Sequence, residues 1–307
     1  MVITLFFHDI VLKYDKGRGE SMYYGAIEAG GTKFRAAVYQ TDRLVKEITI
    51  PTEEPEETMT AVIAFLDAHP LKAVGIGAFG PVILDPDDPD FGLITSTPKE
   101  KWRNFNIYRY CASRLRVPVH LDTDVGAAAL GEYFAARAAV KNLIYVTVGT
   151  GVGVGVVCAG KIFRGAHHPE LGHLPIARRA DDVHPSVCPY HENCLEGLAS
   201  GRSLQARYSI TPAELAAMDA VWELEGYYLG QALLTYTLAF APDRIIVGGG
   251  VANQVRLLPA IRKYFDALNN GYYRYPQMID TEKFITTPAL GPDAGLYGAY
   301  RLARGDE

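Results

Sequence analysis

A repeated pattern limits what this chain can fold into more than any other feature. Residues 23–39 run as an apolar strand, a Gly-rich turn and a second apolar strand, and residues 142–158 do so again. Setting Ile27 against Val146 puts Gly30 against Gly149. One such hairpin would be explained by its turn alone. Two imply an internal duplication, with two similar lobes facing each other across a cleft and both turns able to grip a polyphosphate. Gly30-Gly31 is expected to take positive φ and to bring N–H groups close to an anion.

Between and beyond the hairpins the pattern is α/β. Residues 71–80 read as a buried strand running into Gly80-Pro81, followed by an Asp/Pro-rich loop over 85–90. The polar segment 96–105, with Thr97, Lys99 and Trp102, is the kind of loop in which small-molecule specificity sits. A strand over 117–121 leads to a helix over 125–137, with Asp122 and Asp124 at the junction. Either aspartate suits a helix cap, or one is a general base at the carboxyl end of a strand. A long helix over 215–240 is stopped by Pro242. A strand over 243–247 then meets Gly248-Gly249-Gly250, which lets a ring system or phosphate approach the backbone, before a helix beginning near Asn253. Residues 291–303 form a last helix with Gly295 and Gly298 on a small face, returning to the first lobe.

The stretch 167–201 carries a different chemistry. Cys188, His191 and Cys194 stand in a C-x2-H-x2-C spacing, and His173 supplies a fourth ligand in preference to His167, His168 or His184. Four N/S ligands make a closed, structural zinc site that does no Lewis-acid chemistry. Its role is positional: it fixes Glu170 and Glu196, whose carboxylates suit a ligand rich in hydroxyls.

Composition narrows the partners. The 307 residues are 49% hydrophobic with a net charge of −5 and no evident basic face, which argues against nucleic acid. Four cysteines, two given to a metal and Cys111 and Cys158 read as packed thiols, point to a reducing, cytoplasmic setting. The apolar run 2–7 is too short to span a bilayer and lacks the flanks of a secretory signal, so no membrane association is expected. Residues 1–21 read as an extension, with purine-rich codons implied for 16–20 and an alternative start at Met22.

Glu28-Ala-Gly-Gly-Thr-Lys33, the run Asp122–Glu132, Val148-Gly-Thr-Gly-Val-Gly153, Glu170-Leu-Gly-His173 and Ile246-Val-Gly-Gly-Gly250 occur in an order that resembles the ROK family of sugar kinases and sugar-responsive repressors. Thr95–Lys99, Cys188–Gly201 and Gly291–Gly295 are most similar to its bacterial fructokinase branch. The resemblance covers residues 22–303 and implies an actin/hexokinase-like duplicated α/β fold with two lobes around a central cleft. The expected lobes are 22–140 with the helix 291–303, and 141–290 with the zinc loop.

It also implies ATP-dependent phosphorylation of the 6-hydroxyl of D-fructose with Mg2+, by a homodimer. On the matched positions Asp124 is the base. Gly30, Gly31, Thr32, Lys33, Thr147, Gly149, Thr150 and Gly151 hold the phosphates, and Gly248, Gly249 and Gly250 lie under adenosine. Glu170, His173 and Glu196 approach the sugar, with Gly80, Thr97 and Lys99 in the same substrate set. Three positions depart from the family: Gly126 replaces an Asn, Glu28 an Asp, and His191 a third cysteine of the zinc motif. Phosphorylation of another hexose, such as glucose, mannose or N-acetylmannosamine, uses the same motifs. A non-catalytic sugar sensor is the competing reading from another class, and a zinc hydrolase is disfavoured by the closed site.

Overall fold

The computed structural model describes residues 22–136 and 140–306. The N-terminal extension, the question of an alternative start and Arg137 at the end of an expected helix lie outside the described residues.

Strands β1 (Tyr23–Ala29) and β2 (Lys33–Gln40) pair antiparallel around the first Gly turn, with Ala29 opposite Phe34. β3 (Arg43–Pro51) adds outside β2, and α1 (Pro55–Asp67) leads into β4 (Leu71–Ala78), parallel to β1. After α2 (Ile107–Leu115), β5 (Val119–Thr123) extends the sheet and passes directly into α3 (Asp124–Ala135). The sheet order is β3-β2-β1-β4-β5.

The second half repeats this plan. β6 (Leu143–Val148) and β7 (Val152–Cys158) form the second hairpin, and β8 (Lys161–Ile162) adds outside β7. The short helices α4 (Leu195–Ala199), α5 (Gly201–Tyr208) and α6 (Pro212–Ala216) precede the long α7 (Asp219–Phe240). Then come β9 (Arg244–Gly248), α8 (Leu257–Asn269), α9 (Thr281–Phe284), β10 (Ile285–Thr286) and α10 (Ala294–Arg304). The order β10-β9-β6-β7-β8 matches the first sheet strand for strand, so the duplication read from Gly30 and Gly149 is present as topology.

Glycines set how closely these layers approach. α10 lies on β1 and β4, α3 lies on β6 and β7, and the two helices pack on each other. A Cβ on Gly75 would stand 1.9 Å from the Ala299 carbonyl oxygen, one on Gly155 2.0 Å from that of Val125, and one on Gly298 1.6 Å from that of Ala127. No side chain fits at those distances, so these positions admit glycine alone. In the first half, Phe34, Ile76 and Trp102 are among the core residues; in the second, Val146, Tyr228 and Phe265 are. Truncating Phe34 or Trp102 costs about 3–5 kcal/mol. Cys111 is buried and Cys158 half-buried, both as free thiols. Among the described residues no helix is long and apolar enough to cross a membrane.

Several boundaries differ from the sequence reading, among them these three. The helix expected over 215–240 is two helices, because Thr211 and Glu214 cap a short α6 and the Trp222 indole N–H donates to the Leu215 carbonyl at 3.0 Å across the break. The strand expected over 117–121 runs instead over Val119–Thr123, which places Asp124 at the first position of α3. The helix expected near Asn253 starts at Leu257, after a 3-10 turn over Val251–Asn253.

Candidate active site

Asp124 is free for chemistry because a neighbour does the capping. The Thr123 hydroxyl accepts the Gly126 N–H at 2.9 Å, so Thr123 is the N-cap of α3 and neither aspartate fills that role. Asp122 is buried, and its carboxylate accepts from the Thr123 N–H at 2.7 Å and from the Arg164 guanidinium, whose Nε lies at 2.8 Å. That carboxylate accounts for Gly126: a Cβ there would stand 2.1 Å from Asp122 Oδ1. Glycine at 126 thus leaves the Asp122 carboxylate and its pairing with Arg164 undisturbed.

The Asp124 carboxylate accepts the Val125 N–H at 2.8 Å and lines a cavity of about 820 Å³. Burial pushes its pKa up to about 7, opposed by the Val125 N–H and reinforced by the negative charges of Glu28 and Glu170. Glu28, on β1, lines the same cavity. Burial raises its pKa while Arg35, 3.3 Å away, opposes the shift. Arg35 also pairs with Glu47 at 2.7 Å and Asp293 at 2.6 Å, tying β2 and β3 to the segment ahead of α10.

The Gly-rich segments divide by role. Gly30 and Gly31 do not have positive φ, contrary to expectation. A Cβ on Gly30 would lie 2.6 Å from the Lys33 carbonyl oxygen, so the turn requires glycine there for its tightness. In the second turn, the Gly149 N–H donates to the Gly151 carbonyl at 2.9 Å, and the Gly149 carbonyl accepts from Gly201 at 2.7 Å. Gly153 and Gly155, two strand positions on, face α3 at Val125 and serve packing. Gly249 has φ +93°, and a Cβ there would stand 2.4 Å from the Val148 carbonyl oxygen. Gly248, Gly249 and Gly250 line the large cavity with Thr147, and a Cβ on Gly250 would meet nothing within 4 Å. Gly250 thus leaves its backbone open to a flat ligand.

The expected sugar residues are spread more widely. Glu170 is close enough to Asp124 to bear on its ionisation, and its carboxylate lies 3.5 Å from His168 Nδ1. His168 Nε2 accepts the Val82 N–H at 3.4 Å beside Gly80. Glu196 is drawn to the second Gly turn instead: it accepts the Val152 N–H at 3.0 Å and pairs with Arg202 at 2.8 Å. Thr97 is buried and its hydroxyl accepts the Lys99 N–H at 3.3 Å, so it shapes the loop.

His173, Cys188, His191 and Cys194 converge, with one ligand atom from each inside a 4.8 Å sphere of mutual distances. Cys188 Sγ lies 3.8 Å from His173 Nδ1 and 3.5 Å from His191 Nδ1, and Cys194 Sγ lies 3.6 Å from His173 Nδ1. Such edges fit a tetrahedron with metal–ligand bonds of about 2.0–2.3 Å. Leu195 N–H donates to Leu174 at 3.0 Å and Ile176 N–H to Asn193 at 2.9 Å, pinning both ends of the loop together. His184 is engaged elsewhere, on the carbonyls of Pro185 and Ala206.

Tyr145, Gln254, Thr287 and Pro288 also line the cavity and were not found from the sequence. Tyr145 had a signal: it alternates with Thr147 on one face of β6. The others arrive from distant segments and carry no motif.

The two sheets of identical order, with a cavity reached by the head of α3, define the actin/hexokinase-like class of duplicated α/β folds. The model of the ROK family matches residues 24–306, and the chain belongs to that family. A fructokinase from Pediococcus pentosaceus is 44% identical, with 92% of this chain and 98% of that protein covered. A fructokinase from Lactococcus lactis subsp. cremoris is 38% identical over the same shares of each. The crystal structure of a ROK hexokinase from Thermus thermophilus is 29% identical, covers 93% of this chain and 99% of its own, and superposes with a TM-score of 0.75.

Proposed function

We propose that this protein is an ATP-dependent fructokinase, which moves the γ-phosphoryl group of ATP to the 6-hydroxyl of D-fructose and yields fructose 6-phosphate and ADP. The observation that carries the reading is the placement of Asp124: uncapped, at the head of α3, in a large cavity shared with Glu28 and the Gly248–Gly250 run, and poised by burial to about pKa 7. A base near the working pH has the best balance of ionised fraction and proton affinity. The fructokinases at 37 to 44% identity support fructose as the acceptor.

In this reading the Asp124 carboxylate takes the proton of the sugar hydroxyl while the new O–P bond forms and the bond to ADP breaks. Backbone amides of the turns at Gly30–Lys33 and Thr147–Gly151 take phosphate oxygens, and adenosine lies along Gly248–Gly250. Mg2+, when bound, would neutralise charge on the phosphates, and Glu28, in the wall of the same cavity, is a hard oxygen donor that suits it. His173, Cys188, His191 and Cys194 would hold a structural Zn2+, which would pin the loop on which Glu170 and Glu196 flank the ligands. The lobe of residues 22–140 with 291–303 closes on that of 141–290 to exclude water. Free cysteines fit a cytoplasmic setting, the family resemblance supports a homodimer, and the ligands in this reading are sugar and ATP.

The test is ADP release with Mg2+ and ATP against fructose, glucose, mannose and N-acetylmannosamine. Fructose-dependent turnover well above the others is expected. Preference for another sugar replaces the substrate. Absence of turnover with every sugar, in zinc-loaded protein that still binds one, makes the chain a sensor.

A further inference from the structure

The segment read from the sequence as part of the sugar site places its lysine over the first Gly turn. The turn presents unspent donors: Gly30 N–H bonds the Lys33 carbonyl at 3.1 Å and the Thr32 carbonyl accepts from Thr52 at 3.0 Å, while among the described residues the Gly31 and Thr32 amides make no hydrogen bond within the protein. Lys99 Cε reaches within 3.3 Å of the point a Cβ on Gly31 would occupy. Its ammonium has no ion pair or hydrogen bond among the described residues. Open amides and an unpaired ammonium on one turn form a cradle for a doubly charged phosphate oxygen cluster.

The lysine is exposed, but its backbone is anchored. The Lys99 carbonyl accepts the Trp102 N–H at 2.9 Å, and its own N–H is held by the buried Thr97 hydroxyl. Trp102 is 1% exposed, donates its indole N–H to the Glu53 carbonyl at 3.0 Å, and stacks on Phe34 with ring centroids 4.9 Å apart. Phe34 is the second residue after Thr32, so the turn and the lysine's anchor are bolted to one aromatic core. Lys33 leaves the same turn but acts electrostatically on Glu28.

We propose that Lys99 is a catalytic residue for phosphoryl transfer, donating through Nζ to the γ-phosphoryl oxygens beside the Gly31 and Thr32 amides, and not a determinant of sugar binding. It transfers no proton: the sugar oxygen attacks phosphorus, its proton goes to Asp124, the bond to ADP breaks, and Lys99 balances charge throughout. The inference rests on the kinase reading above, and wild-type turnover with fructose checks that reading separately.

The experiment compares full-length Lys99→Met and Lys99→Arg with wild type, reading kcat, KM for fructose, and calorimetric Kd for Mg-ATP and Mg-ADP. The exposed side chain makes folding insensitive to the change, which a melting curve verifies. Lys99→Met should lower kcat about a hundred- to a thousand-fold, leave KM for fructose within about threefold, and erase any preference for ATP over ADP, with Lys99→Arg intermediate. A rise in KM for fructose that exceeds the fall in kcat, or an ATP preference equal to wild type, overturns it. If wild type turns over no sugar, the kinase reading has failed, and the ATP-against-ADP comparison still decides whether Lys99 holds the terminal phosphate.

Discussion

In the fructokinase reading, Asp124 is available as a base because of what its neighbours do. Thr123 caps the helix, Asp122 is spent on Arg164, and burial raises the Asp124 pKa against the opposing Val125 N–H. Asp124→Asn is expected to cut kcat about a hundred- to ten-thousand-fold while calorimetry shows fructose binding nearly unchanged. Wild-type kcat/KM for fructose should fall on the acid side with a midpoint near the carboxyl's pKa of about 7. The same shift has a sign in stability: the folded state binds this proton more tightly than the unfolded chain, so the contribution is full below the unfolded value of about 4 and is lost as pH rises through 7. Melting curves should therefore show Asp124→Asn gaining on wild type between those pH values and holding the gain above them.

At the scale of elements, the loop that carries the His/Cys cluster and the second hairpin are one unit. Gly172 lets the turn Leu171–His173 lie on β7, where a Cβ would stand 1.9 Å from the Val152 carbonyl oxygen, and Cys194 both faces His173 and caps α4 through the Gly197 N–H at 3.3 Å. The His173–Cys188–His191–Cys194 cluster, its loop, α4 and the Glu196 contact to Val152 N–H are thus linked in series. Removing zinc with a chelator should accelerate amide exchange across residues 173–196 and lower turnover, with β1–β5 unchanged. Zinc-free protein with wild-type exchange in that loop would contradict the linkage.

Across the whole molecule, the two halves meet through α3 and α10, and one buried carboxylate joins that contact to the cavity. Glu132 on α3 accepts the Ala289 N–H at 2.9 Å and the Leu290 N–H at 2.8 Å, just past Thr287 and Pro288 in the cavity wall. Glu132→Ala leaves two amides without a partner, which costs about 1–3 kcal/mol and should lower the urea midpoint. It should also raise KM for ATP more than KM for fructose, because the wall it frees is on the Gly248–Gly250 side. Glu132→Gln, which keeps one acceptor oxygen, should recover part of both losses.

The sequence by itself determined the local and the periodic. The paired hairpins at Gly30 and Gly149, the Cys188–Cys194 spacing with His173, and Asp124 at a strand-to-helix junction were legible because each lies within a few residues or repeats at a fixed offset. Tertiary structure alone decided which donors were already spent. It placed Asp122 in the space a side chain at 126 would need, turned Glu196 onto the second Gly turn, buried Thr97, and brought Lys99 beside Gly31 of the first Gly turn. Those outcomes depend on contacts between segments tens of residues apart, and the free energy of a polar group is set by the partners it meets there, which no local pattern encodes.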